Sequence, residues 1–271
     1  MAIQFEAEEH KYTSTDGAAI AWLSATGFIS KFKTPFDQDA VAIKCSKNRR
    51  SKWYGLTPEE IKEIWGNEAN RAVTLGSWYH DQREADVVAL DTIERKGIEI
   101  PIIQPLVDGD LKIAPEQRLT EGIYPEHMVY LKSAKLCGQA DRVEVISDQI
   151  DLYDYKTNKE IKMTAFKHWD GGKEMMLGPC SHLEDCNFMH YALQLSTYMY
   201  IMLKHNHHLK PGKMQLHHIV FEIESKDKYG YPTTLFDPNG DPVVKEVVEY
   251  DVPYLKDEVR NMIKWIKLNK L

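Results

Sequence analysis

Gly138-Gln139-Ala140-Asp141-Arg142-Val143-Glu144-Val145 and Ile150-Asp151-Leu152-Tyr153-Asp154-Tyr155-Lys156-Thr157 both alternate apolar and polar residues. Each is rich in β-branched or aromatic types and reads as a strand. The polar interval Ser147-Asp148-Gln149 reads as a turn, so the two strands form a hairpin. Residues two apart in a strand share a face. The Asp154 carboxylate therefore stands beside the Lys156 ammonium, and a neighbouring strand can bring Asp141 to the same place. Two acids and a lysine at the end of a sheet suit a hydrolytic Mg²⁺ site. The acids hold the ion, the ion acidifies water, and the lysine holds or deprotonates that water. The same residues are equally compatible with an exposed hairpin carrying solvated charges.

Around this hairpin, 271 residues are enough for one large domain or for a domain with an appended lobe. A hydrophobic content of 43% with 28% charged residues is that of an ordinary globular protein. The apolar runs Ala18 to Leu23 and Tyr198 to Leu203 are too short to span a bilayer. The acidic start Met1-Ala2-Ile3-Gln4-Phe5-Glu6 has no apolar secretory core, and a cytoplasmic location is expected. Cys45, Cys137, Cys180 and Cys186 read as free thiols. A net charge of -7 argues against a generally basic nucleic-acid coat. It leaves room for an acidic metal site beside a local basic strip.

Toward the N-terminus, His10–Thr13 and Ala18–Leu23 flank Thr15-Asp16-Gly17 and read as a hairpin. Ser24 to Phe32 can open a helix. Lys44, Lys47, Arg49, Arg50 and Lys52 form a basic cluster closed by Trp53 and Tyr54. Cations beside aromatics suit a phosphate backbone and a stacked base, and equally a solvated helix face. Thr57-Pro58-Glu59-Glu60 is a capped helix start. A second helix is expected from about Leu75 to Glu94, with Gly97 as its stop. On it, Gly76, His80 and Glu84 share a face. Ile98–Ile103 reads as an edge strand. Arg118–Tyr124 and His127–Leu131 read as two strands separated by Pro125, and Glu121 in the first can reach the Asp141 strand.

Beyond Thr157, Trp169-Asp170-Gly171-Gly172 and Leu177-Gly178-Pro179 mark a long loop of the kind that often contacts substrate. It carries Cys180, His182 and Cys186, followed by His190, at a spacing that matches no common zinc pattern. A helix from about Phe188 to His205 places Gln194 and Tyr198 one turn apart. Pro211-Gly212 reads as a stop. Gln215–Glu224 reads as a strand, Pro238-Asn239-Gly240-Asp241 as a turn, and the segment from about Pro253 as a final helix.

Gly76-x-x-x-His80 with Glu84, Gly138-x-x-Asp141, Asp154-x-Lys156-Thr157 and Gln194-x-x-x-Tyr198 stand in one order across residues 76 to 198. In that order they resemble the PD-(D/E)XK nuclease superfamily, and within it the RecB-type and phage exonucleases. The resemblance implies a restriction-endonuclease-like α/β fold, a mixed central sheet flanked by helices with a helical N-terminal portion. It implies one domain, divided into residues 1–70 as a DNA-contacting lobe, 71–205 as the catalytic core, and 206–271 as closing strands and helix. It also implies that His80, Asp141, Asp154 and the Tyr155 carbonyl bind Mg²⁺ or Mn²⁺, with Glu84 and Glu121 as further acids. Lys156 would position the attacking water, and Gln194 and Tyr198 would contact the strand being cut. DNA is the implied partner, together with a separate helicase or recombinase chain, since this chain has no P-loop. Some relatives carry an iron–sulfur cluster. No cysteine follows Tyr198, so none is expected here. An exonuclease is the first expectation, an endonuclease or nickase its rival, and a non-catalytic nucleic-acid adaptor the reading from another class.

Overall fold

The computed structural model describes residues 3–6, 9, 11–95, 97–168 and 171–269. Strands β1 (Ile3–Glu6) and β2 (Lys11–Ser14) pair antiparallel, with Phe5 opposite Tyr12. This corrects the expected first hairpin. A turn follows β2, with Gly17 at φ 72°, but the chain beyond it does not run back along β2. Instead Trp22 donates its indole N–H to Ser14 Oγ at 3.0 Å, and β3 (Leu23–Ser24) joins a distant strand in parallel beside Leu136 and Cys137. His10 lies outside the described residues, as do Trp169 and Asp170 of the expected loop.

Ser24 caps α1 (Ala25–Ser30), its Oγ accepting the Gly27 N–H at 3.1 Å, and Asp37 caps α2 (Gln38–Lys47). Helix α3 (Pro58–Val88) starts with the expected capping box: Thr57 Oγ1 accepts the Glu60 N–H at 3.2 Å, and Glu60 accepts the Thr57 N–H at 2.7 Å. The two helices expected here are one, 31 residues long. Gly66 and Gly76 each cost about 1 kcal/mol in a helix interior, too little to break it without a proline. The helix also stops at Val88, short of Glu94. Gly97, at φ 79°, turns the hairpin of β4 (Thr92–Arg95) and β5 (Ile98–Pro101) rather than ending a helix. The expected division near residue 70 falls inside α3.

Strands β6 (Leu106–Asp108) and β7 (Leu111–Ile113) pair across Gly109, and β7 adds to β1, giving an accessory sheet in the order β2-β1-β7-β6. Where two strands were expected around Pro125 there is one, β8 (Gly122–Leu131), and residues 118–121 are not in it. Then come β9 (Leu136–Ile146), β10 (Gln149–Lys156), α4 (Asn187–His205) and β11 (Lys210–Phe221). Pro211 and Gly212 lie inside β11 instead of ending the segment. At Gly212 the backbone passes so close to β10 that a Cβ would sit 2.0 Å from Asp151 Oδ1. The chain closes with β12 (Ile223–Lys226), β13 (Pro232–Thr234), β14 (Val244–Asp251) and α5 (Lys256–Asn269).

The central sheet is mixed, in the order β14-β11-β10-β9 with β8 and β3 both on β9. Its β10–β11 pair is parallel, with α4 in the crossover, while β9–β10 is the expected antiparallel hairpin. One face packs Val143, Ile150, Leu152 and Leu216 against Phe28 of α1, Leu193 and Met199 of α4, and Val259 and Met262 of α5. The alternate residues of β10 face the other way, where Leu75 and Tyr79 of α3 pack on Tyr155, Ile219 and Phe221. The sheet is thus held between α4 and α3. Among the described residues no helix is long and apolar enough to cross a membrane.

Candidate metal centre

The β9–β10 ladder runs from Ile146 opposite Gln149 to Arg142 opposite Tyr153 and stops there. Farther along, β8 occupies one edge of β9, so β3 takes the edge that β10 has left, at Leu136 and Cys137. The hairpin therefore forks. In the fork Asp141 Oδ2 accepts the Tyr155 N–H at 2.6 Å, standing in for a ladder carbonyl. Both strands beside the fork are distorted. Leu136 and Ala140, and then Val143 and Val145, belong to the same core, so the inward-facing parity of β9 changes between 140 and 143. On β8 the change lies between Val129 and Tyr124. There Glu126 has φ 47°, a region costly for a residue with a Cβ, and its neighbours' register sets it opposite Asp141. The double kink brings both carboxylates out at one point.

From α3, His80 faces them: its Nδ1 lies 3.5 Å from Asp141 Oδ1 and 3.6 Å from Glu126 Oε1. One ligand atom from each of His80, Glu126 and Asp141 lies within 4.8 Å of the others. The Gln139 amide donates to Glu126 Oε2. Asp154 is adjacent and almost fully buried, 1% exposed, with the Lys156 ammonium 2.6 Å from Oδ2. Neither Asp154 oxygen has a donor in hydrogen-bond geometry. The ring of Tyr191 lies 4.8 Å from the Lys156 ammonium, and its hydroxyl donates to Asn158 at 2.6 Å.

Burial by itself disfavours charge on the His80 imidazole, but Asp141, Glu126 and Asp154 outweigh it and lift its pKa to about 9. Burial, and then the charge of Asp154, push the Asp141 carboxyl up. Lys156 is likewise penalised by burial, yet Asp154 and Asp141 raise it above its ordinary value. When all are ionised, three carboxylates (Glu126, Asp141, Asp154) are paired with His80 and Lys156, and Lys112, which also lines the cleft, is already matched by Glu84. This surplus of negative charge in a half-buried place is what a divalent cation would neutralise. Carboxylate oxygens with one imidazole suit Mg²⁺ or Mn²⁺, and Asp154 Oδ1, which has no partner, is open to a cation while Oδ2 faces the Lys156 ammonium. The residues present fit the group.

A cleft of about 540 Å³ opens on this cluster, lined by His80, Glu126, Asp141, Gln139, Gln194 and Tyr198 among others. The Gln194 amide donates to the Tyr198 hydroxyl at 3.0 Å. Tyr198 packs on Gly138 so closely that a Cβ there would lie 2.5 Å from its ring. Gly76 lets α3 approach β10, its missing Cβ falling 3.2 Å from Thr157 Oγ1.

Other expected site residues stand elsewhere. Glu121 accepts the Ser147 N–H at 3.1 Å, at the turn end of the hairpin and away from the fork. Both oxygens of Glu84 are taken by Lys112, at 3.0 and 2.8 Å. Trp53 is 6% exposed and packs with Ala42 and Ile61, so its ring is part of a small core and not a stacking platform. Lys52 donates to the Tyr229 carbonyl at 2.6 Å, while Lys44, Arg49 and Arg50 are exposed. In the long loop Cys180 is buried and His182 meets Glu258 at 3.2 Å, and on α4 His190 meets Asp185 at 2.6 Å. Sequence reasoning missed Glu126. Its one signal is the break in alternation at Pro125-Glu126, which in sequence is indistinguishable from a gap between two strands.

No family model, no curated protein and no solved structure matches the chain.

Proposed function

We propose that the chain is a metal-dependent DNA nuclease, most simply an exonuclease, with a restriction-endonuclease-like core related to the PD-(D/E)XK superfamily. The observation that carries this reading is the fork itself, where Asp141, at the point where β9 parts from β10, sits beside the Asp154-x-Lys156 end of β10. His80, Glu126, Asp141, Asp154 and the Tyr155 carbonyl would hold Mg²⁺ or Mn²⁺. Such an ion acidifies water and stabilises negative charge on phosphoryl oxygens. Lys156, anchored on Asp154, directs ammonium hydrogens at the attacking water or at a phosphate oxygen. Gln194 and Tyr198, tied to each other, orient the strand in the cleft. Tyr191 shields Lys156 from bulk water on the α4 side.

The test is hydrolysis of end-labelled single- and double-stranded DNA in Mg²⁺, in Mn²⁺ and in EDTA. Cleavage by the native chain, lost in EDTA and in Asp154→Ala and Lys156→Ala with unchanged circular dichroism, is the expected result. Full activity of either variant in Mg²⁺ rejects the assignment. A covalently closed circle resists an exonuclease and is opened by an endonuclease. DNA binding without turnover under every condition leaves the adaptor reading.

A further inference from the structure

The cleft holds a charged residue that the metal centre does not use. Lys112 lies on β7, an inner strand of the accessory sheet, opposite Phe5 on one side and Val107 on the other. With Phe5 and Tyr12 it lines the cleft that also holds His80, Asp81, Glu126 and Asp141. It is the one lysine or arginine among the described residues that line this cleft. Apart from Lys156, which does not line the cleft, a phosphodiester entering it therefore meets one lysine, and that lysine comes from outside the central sheet.

Its placement is not that of a loose surface lysine. The stem leaves the middle of a paired strand, and the ammonium is gripped by both oxygens of Glu84, one helical turn beyond His80 on α3. An ammonium carries three hydrogens, and Glu84 takes two, leaving one to donate. The side chain is already ordered, so a phosphate that binds it does not pay to immobilise a long flexible chain.

We propose that Lys112 is a phosphate-binding subsite for the polynucleotide, holding a phosphate next to the one cleaved, with Glu84 as the residue that positions it. This rests on the nuclease reading and adds to it a role for the accessory sheet. Glu84 then belongs to the substrate grip instead of the metal shell.

The experiment measures binding of a fluorescein-labelled oligonucleotide by anisotropy, in Ca²⁺ and in EDTA, across a series of KCl concentrations. Native chain, Lys112→Met, Lys112→Arg and Glu84→Gln are compared, with melting curves for each. Loss of one charge-assisted contact weakens binding of Lys112→Met by about tenfold. Its log K against log salt slope becomes shallower by about 0.7 to 0.9, one phosphate's share. Lys112→Arg recovers most of the affinity, and Glu84→Gln, which keeps the cation but loosens its hold, weakens binding by about threefold, less than Lys112→Met, with the native salt slope. If native chain binds the oligonucleotide and Lys112→Met binds it equally with the same slope, the subsite is overturned while the nuclease reading stands. If Glu84→Gln weakens binding as much as Lys112→Met and both melt early, the pair is a staple between sheet and helix, and the subsite is again overturned. If the native chain binds no oligonucleotide in either medium, both readings fall.

Discussion

Two buried acids on the same hairpin, Glu144 and Asp154, have opposite surroundings. Each is 1% exposed. Glu144 sits within the paired half of the β9–β10 ladder between two guanidiniums: Arg95 donates twice, at 3.1 and 2.8 Å, and Arg142 Nε lies 3.2 Å away, in ion-pair range but not in hydrogen-bond geometry. Asp154 sits where the ladder has ended. It has one ammonium at 2.6 Å, no donor in hydrogen-bond geometry, and the carboxylate of Asp141 as an electrostatic neighbour. A buried carboxylate with two guanidiniums is a finished structural cluster. A buried carboxylate that shares too few cations with other acids is stable only if something else brings positive charge. On the proposed reading, the difference separates a charge that holds the fold from a charge held for a metal ion.

The contrast is broken most directly by removing each acid. Asp154→Ala should lower any cleavage rate by at least about a thousandfold, equivalent to roughly 4 kcal/mol of barrier, with little change in the midpoint of urea unfolding, because Asp141 remains to balance Lys156 and is relieved of a like charge. Glu144→Ala should do the reverse. It leaves two guanidiniums unpaired on one spot and should cost about 3 to 5 kcal/mol of stability, while the folded fraction keeps its activity. If the two variants show the same pattern, the distinction is void.

A third buried group sharpens it. His127, next to Glu126 on β8, has an Nε2 without a partner, and burial pushes its pKa down to about 4. Its unfolded value is near 6.5, so on acidification the unfolded chain takes up the proton first. Stability is complete above the unfolded value and falls as pH drops from about 6.5 to 4, by up to roughly 3 kcal/mol at about 1.4 kcal/mol per unit. In His127→Phe that part of the pH dependence should vanish from denaturation curves.

Metal gives a smaller and more specific effect. At ten times its dissociation constant, Mn²⁺ should stabilise the native chain by about 1.4 kcal/mol, seen as a rise in melting temperature. The rise should be absent in Asp141→Asn and in Glu126→Gln, and unchanged in Glu84→Gln. A shift lost only in Glu84→Gln would move the ion from the fork to the accessory sheet.

Much of this architecture is legible in local pattern. Alternation over Gly138–Lys156 marks the hairpin, Thr57-Pro58-Glu59-Glu60 the start of α3, and the stripe from Phe188 to Met202 the buried face of α4. Strand periodicity also places Asp154 beside Lys156. These features depend on residues a few positions apart, where backbone geometry leaves little choice. What failed depended on competition between distant partners. Ala18–Leu23 has the composition of a hairpin strand, but β1 had already supplied β2 with a partner. Leu75 reads as a new helix start because Gly66 and Gly76 interrupt the pattern of what is one helix.

The residue order along the chain determined which side chains share a strand face or a helix turn: Asp154 with Lys156, His80 with Glu84, Gln194 with Tyr198. Tertiary structure alone decided which of those faces meet. It set Glu126 at φ 47° opposite Asp141, turned Glu84 to Lys112, and left Glu121 at the far end of the hairpin. The reason is that periodicity constrains neighbours within one element. The meeting of three elements at a fork depends on where a ladder stops, and that is fixed by packing among segments far apart in sequence.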